Sequence, residues 1–147
     1  MYKPGNVLMV CLGNICRSPL AQGVFENISK KFDINVDSAG VANYHIGYHP
    51  DIRSINIAQK NGIDISMQKA RQINLEDFFN FDYIFVMDKQ NFNDVNELMS
   101  RHKTNSLIQL LNDPFEIEDP YYGDERGFEI VYDKIYKGCK RVVNSWK

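Results

Sequence analysis

Residues 7–18 constrain this chain more than any other stretch. Four apolar residues, Val7, Leu8, Met9 and Val10, lead without a break into Cys11. Arg17 follows six positions later, then Ser18, Pro19 and an amphipathic stretch over residues 20–32. The pattern reads as a buried strand, a tight loop and the start of a helix. A loop that enters a helix N-terminus presents free backbone N–H groups, and the helix dipole favours negative charge there. Cys11 stands at the entrance of that loop, where such a field favours a thiolate over a thiol. Arg17 closes the loop with a planar fork of donors that matches phosphate oxygens. Gly13 and Asn14 tolerate the left-handed backbone that turns successive amides toward one centre. A nucleophile, an anion cradle and a cation within seven residues point to attack on phosphorus. The plain alternative is a small buried cysteine at a strand end followed by a surface arginine. The loop glycine and asparagine, with a strand before them and a helix after, weigh against it.

Composition bounds what such a loop can serve. The 147 residues suit one domain with its own core, spanning residues 1–147. A net charge of −2 offers a polyanion nothing, which argues against nucleic acid as a partner. No apolar run approaches the ~20 residues of a bilayer span, and the first residues lack a signal-peptide core. Three cysteines form no disulfide framework, so a reducing, cytoplasmic setting is expected.

Taken in order, strands are expected at residues 7–10, 34–37, 83–87 and 107–111. Helices are expected at 18–32, 51–60, 75–79, 90–101 and 128–146. Ser18 suits the N-cap of the first helix and Pro19 its first turn. Residues 38–40 read as an exit loop, and residues 41–50 as a longer loop in which His45 and His49 are exposed. In the last helix Ile130, Val131, Ile135, Cys139, Val142, Val143 and Trp146 form the apolar stripe, and Lys134, Lys137, Lys140 and Arg141 a solvated face. Strands separated by helices imply an α/β fold, a four-stranded parallel sheet with helices on both faces. Ligands bind beyond the carboxyl ends of such strands. That edge gathers the Cys11 loop, Ser38, Asp88 and an acidic loop over residues 112–125.

Within the acidic loop stands Asp119-Pro-Tyr-Tyr-Gly-Asp124. An acid held above a thiolate–phosphate centre protonates a departing oxygen and later takes a proton from attacking water. Tyr121 and Tyr122 offer an aromatic wall for a flat ring. The bland readings are a turn-forming aspartate and ordinary packing tyrosines.

These residues, together with Asp37-Ser-Ala-Gly40, Lys69-Ala-Arg-Gln72, Phe81-Asp-Tyr-Ile84 and Met87-Asp88, resemble the low molecular weight protein tyrosine phosphatases over nearly the whole chain. The resemblance implies a cofactor-free, metal-free enzyme that releases inorganic phosphate from phosphotyrosine proteins or small aryl phosphates. It implies that Cys11 is the nucleophile, that Arg17 binds phosphate and the transition state, and that Asp119 is the general acid. Asn14 then shapes the loop, Ser18 hydrogen-bonds the thiolate, and Ser38 supports the loop from the second strand. Leu12, Gly13 and Cys16 complete the phosphate-binding loop, while Ile15, Tyr44, Tyr121 and Tyr122 line the cleft. Gln68 stands where many members carry a histidine of the network behind the loop, and Tyr44 where some carry tryptophan. Members with the Cys11–Cys16 pair are redox-regulated, which implies a reversible disulfide here. Two other classes share parts of the pattern. An arsenate reductase needs further relay cysteines, and only Cys16 and Cys139 are available. A phosphate-binding module needs neither nucleophile nor acid.

Overall fold

The computed structural model describes residues 3–146. The apolar run at the start forms β1 (Val7–Cys11), every residue of it buried. It pairs in parallel with β2 (Val36–Gly40) on one side and β3 (Tyr83–Val86) on the other. β4 (Leu107–Leu110) extends the sheet from β3, giving the order β2-β1-β3-β4. Alternate residues of a strand face opposite sides of a sheet. Val7, Met9, Cys11, Phe85 and Met87 therefore enter one core, and Leu8, Val10, Ile84 and Val86 the other. Burial of both faces explains why these strands read as unbroken apolar runs.

Helices α1 (Arg17–Ile28), α2 (Ile52–Lys60) and α5 (Glu125–Ser145) cover the first face. The short α3 (Asp77–Asn80) and α4 (Lys89–Ser100) cover the second. Among the described residues no helix is long and apolar enough to cross a membrane.

Several boundaries differ from the sequence expectation. The first helix begins one residue early, with Cys16 as its N-cap, and ends at Ile28. Ser18 does not cap it: that hydroxyl is buried and engaged with Asn14 and Cys11. Ser29 closes the helix, its hydroxyl folding back onto the Phe25 carbonyl at 2.6 Å. Residues 38–40 are not an exit loop but the second half of β2, because Ser38, Ala39 and Gly40 pair with Met9, Val10 and Cys11. Helix α5 starts at Glu125, three residues before the expected start, with Asp124 as its N-cap. Ile130 is 48 % exposed and so does not belong to the buried stripe, whereas Phe128 is buried. Lys134 and Arg141 are not a free solvated face. Lys134 pairs with Glu118, and Arg141 donates to the Asp113 carbonyl and the Asn112 side chain. Both tie the acidic loop down onto α5.

Candidate active site

The loop from Cys11 to Arg17 sits at the carboxyl end of β1, against the start of α1. Asn14 adopts φ 59°, in the left-handed region. Its buried amide is fully engaged. The NH₂ group donates to Ser18 Oγ at 2.7 Å and to Ser38 Oγ at 3.0 Å, and the oxygen accepts the Arg71 backbone N–H at 3.0 Å. Ser38 in turn donates to Gln22 at 2.7 Å. Cys11 Sγ lies 3.1 Å from Ser18 Oγ. A thiolate only accepts hydrogen bonds, so in that state the hydroxyl donates to sulfur.

Gly40 shapes the loop from behind. A Cβ there would stand 2.9 Å from the Leu12 carbonyl oxygen and 3.1 Å from the Asn14 nitrogen. The bare backbone of β2 is thus moulded against the loop, and the N–H groups of Val41 and Ala42 donate to the Cys11 and Leu12 carbonyls, each at 2.9 Å.

Arg17 is 2 % exposed. It donates through Nη1 to Asp88 at 2.7 Å and to the Ile117 carbonyl at 2.8 Å, while Nη2 stands 3.8 Å from Asp119. Burial works against its charge, but Cys11, Asp88 and Asp119 outweigh burial and hold its pKa above the usual arginine range. Burial, aided by Asp51 and by the field of Cys11, pushes the Cys16 thiol far up instead. Two cysteines of one loop thus differ in surroundings: Cys11 faces a hydroxyl and a cation, and Cys16 faces an apolar cluster with Ile15, Ala70 and Phe128.

Cys11, Arg17 and Asp119 meet in one cleft of about 120 Å³. Leu12, Gly13, Ile15 and Cys16 line its base, and Tyr44, Tyr121 and Tyr122 stand around it. Tyr122 is 95 % exposed, and its ring meets Tyr121 edge-on at 5.0 Å. The Asp119 carboxylate accepts the Tyr121 N–H at 3.1 Å, a local turn that orients it. The chemistry this permits is displacement at an anionic centre: a sulfur nucleophile below, a buried guanidinium beside it, and a carboxyl group above.

The comparisons with known proteins agree with this geometry. The family model described as low molecular weight phosphotyrosine protein phosphatase matches residues 6–147. The chain belongs to that family. The human low molecular weight phosphotyrosine protein phosphatase is 45 % identical over 152 residues, covering 95 % of this chain and 94 % of its own. Among solved structures, a Drosophila arginine phosphatase superposes with a TM-score of 0.91 at 32 % identity, covering 95 % of this chain and 96 % of that one. The low molecular weight protein tyrosine phosphatase of Streptococcus pyogenes gives 0.85 at 33 %, covering 97 % and 93 %.

Three residues stand out whose contacts in the site the sequence pattern does not give. Asp88 reads from sequence only as a sheet-edge residue, yet it grips Arg17 from 71 positions away while capping α4 through the Asn91 N–H. Arg71 binds Asp77 through two nitrogens at 2.9 Å and Asp37 at 3.1 Å, which fixes the backbone N–H that holds Asn14. His45 is not an exposed loop residue like His49. It lies in the cleft, with ring centroids 5.4 Å from Tyr48 and 6.4 Å from Tyr121, and a Cβ on Gly13 would touch it. No spacing rule marks any of the three. Gln68 donates to the Pro19 carbonyl at 3.0 Å, so it braces the start of α1. Among the described residues no cluster of His, Cys, Asp or Glu is arranged to hold a metal ion.

Proposed function

We propose that this chain is a cysteine-dependent protein tyrosine phosphatase, one catalytic domain over residues 1–147 acting in the cytoplasm. Its substrate is a phosphotyrosine-bearing protein or a small aryl phosphate, and its product is inorganic phosphate. The Cys11 thiolate attacks phosphorus, the S–P bond forms as the P–O bond breaks, and Asp119 gives its proton to the leaving phenolate oxygen. Water then attacks the phosphocysteine, Asp119 takes its proton, and the S–P bond breaks to return the thiolate. Arg17 and the loop amides of Leu12, Gly13, Asn14, Ile15 and Cys16 hold the phosphoryl oxygens through both steps. Ser18 steadies the thiolate, and Ser38 steadies Asn14. Each step uses side chains and water, with no cofactor.

The observation that carries this reading is the convergence of Cys11, Arg17 and Asp119 on one cleft, although Asp119 lies 102 positions from Arg17. A binding module has no use for that acid. An arsenate reductase would relay its disulfide through further thiols, but Cys139 is wholly buried against the Ala21 carbonyl. The rim of Tyr44, Tyr121 and Tyr122 suits an aryl group long enough to reach Cys11 while stacking at the mouth.

The test is kcat/KM on matched phosphotyrosine and phosphoserine peptides, with a phosphoarginine peptide beside them because one structural relative is named an arginine phosphatase. Phosphotyrosine is expected to be preferred by at least about fivefold, the share of one aromatic contact of order 1 kcal/mol. Equal values for tyrosine and serine refute the aryl cleft, and a preference for phosphoarginine refutes the substrate class.

A further inference from the structure

Arg53, in the first turn of α2, is held more elaborately than a surface salt bridge requires. On one side Asp51 grips it, accepting from Nε at 3.0 Å and from Nη2 at 2.9 Å. Asp51 is itself fastened to the phosphate loop, since its backbone N–H donates to the Ile15 carbonyl at 2.7 Å. On the other side the same guanidinium donates through Nη2 to the Tyr121 carbonyl and through Nη1 to the Gly123 carbonyl, both at 2.9 Å. Its Cζ lies 4.5 Å from the Phe128 ring centroid and 5.7 Å from that of Tyr121. Phe128 packs under the loop with Ile15 and Cys16. One side chain therefore joins the shoulder of the phosphate loop to the segment just beyond Asp119.

That segment needs an external brace. Residues 112–124 contain no helix or strand. Asp119 is 39 % exposed, held by the Tyr121 N–H and the nearby Arg17. Lys134 and Arg141 fix the approach to Asp119 through Glu118, Asn112 and Asp113. Arg53 fixes the exit. Two planar N–H edges reaching two carbonyls while a carboxylate holds the third is a fork geometry that an ammonium group does not reproduce.

We infer that Arg53 is a positioning residue for acid catalysis: it sets the height of Asp119 over Cys11 by clamping the Tyr121 and Gly123 carbonyls to the phosphate loop. The inference rests on the reading of Asp119 as general acid. A misplacement of about 1 Å costs a catalytic group up to ~100-fold. A partial loosening is therefore expected to cost about tenfold, and only where the acid is needed.

The experiment compares Arg53→Lys, Arg53→Met and Asp119→Asn on two esters, by kcat/KM. Phenyl phosphate has a poor leaving group that needs a proton, and 2,4-dinitrophenyl phosphate a good one that does not. Inhibition by inorganic phosphate reports the phosphate loop separately. Asp119→Asn is expected to lose at least about 100-fold on phenyl phosphate and less than about threefold on the dinitrophenyl ester. Both Arg53 variants are expected to lose about tenfold on phenyl phosphate and less than about twofold on the dinitrophenyl ester, with phosphate inhibition unchanged. Introduced into Asp119→Asn, they are expected to cause no further loss. If Asp119→Asn responds as stated but the Arg53 variants lose equally on both esters, lose phosphate affinity, or add their full effect to Asp119→Asn, this inference is overturned and the acid assignment stands. If Asp119→Asn itself is insensitive to the leaving group, the acid assignment falls and the role of Arg53 falls with it.

Discussion

Replacing Asn14 by alanine separates two contributions that hold the phosphate loop in shape. The side chain makes three hydrogen bonds, to Ser18, Ser38 and the Arg71 N–H. Ser38 keeps Gln22 as a partner, and Ser18 keeps Cys11. Losing two bonds to hydroxyls that have other partners costs about 1 kcal/mol in all, because net hydrogen bonds are weak. The Arg71 N–H has no such substitute, and an orphaned buried donor costs about 1–3 kcal/mol. Alanine at φ 59° adds about 1 kcal/mol of backbone strain. The expected loss is therefore about 4 kcal/mol, a large part of the ~5–15 kcal/mol of a typical domain. Asn14→Gly removes the same bonds without the strain and should recover about 1 kcal/mol of it. Urea unfolding followed by circular dichroism measures both, with and without phosphate. Wild type should gain about 2.7 kcal/mol at phosphate one hundredfold above its Kd, and both variants markedly less, because the amides no longer converge. An Asn14→Ala loss below about 1 kcal/mol, or a glycine variant no better than alanine, would refute this account of the loop.

Cys11→Ser should abolish turnover yet bind phosphate with near wild-type affinity, as calorimetry can show, because the amide cradle and Arg17 survive. Arg17→Lys should lower kcat/KM by at least about 100-fold, since a point charge replaces both the fork on phosphate and the contacts to Asp88 and Ile117. Peroxide should inactivate the enzyme by oxidising Cys11 to a sulfenic acid, and the Cys16 thiol should condense with it, forming the S–S bond and releasing water. Thiol reductant should then restore activity, and bound phosphate should protect. Cys16→Ser should be active when reduced but recover poorly after peroxide; recovery equal to wild type, or a mapped Cys11–Cys139 pair, contradicts that role.

The loop is readable from sequence because its determinants are local. An apolar run, a glycine, an asparagine and an arginine lie in a dozen residues, but only Asn14 takes the left-handed backbone expected of both Gly13 and Asn14, while Gly13 leaves room for the His45 ring. Element boundaries are less readable where tertiary pairing overrides propensity. Ser38, Ala39 and Gly40 are poor strand formers, yet β1 recruits them into the sheet residue by residue. The contacts that brace the site are unreadable for a different reason, although Asp88 and Arg71 lie in stretches that match the family. Asp88, Arg71 and Arg53 work across separations of 71, 57 and 68–70 residues. No periodicity distinguishes a charged side chain that grips this loop from one that faces water. His45 is a similar case: its loop is recognisable, but not the inward turn that brings its ring beside Gly13.

The fit of Gly40 against the loop bears on how copies of this gene can decay. A single added methyl there would collide with the Leu12 carbonyl oxygen and crowd the Asn14 nitrogen. A duplicate carrying Gly40→Ala would still display Cys11, Arg17 and Asp119, and would pass a scan limited to those three residues. Its phosphate loop would nevertheless be pushed off its curve from a neighbouring strand. Silent loss of function in such a lineage can therefore begin outside the Cys11–Arg17 loop, at a position on a neighbouring strand whose side chain must hold no heavy atom.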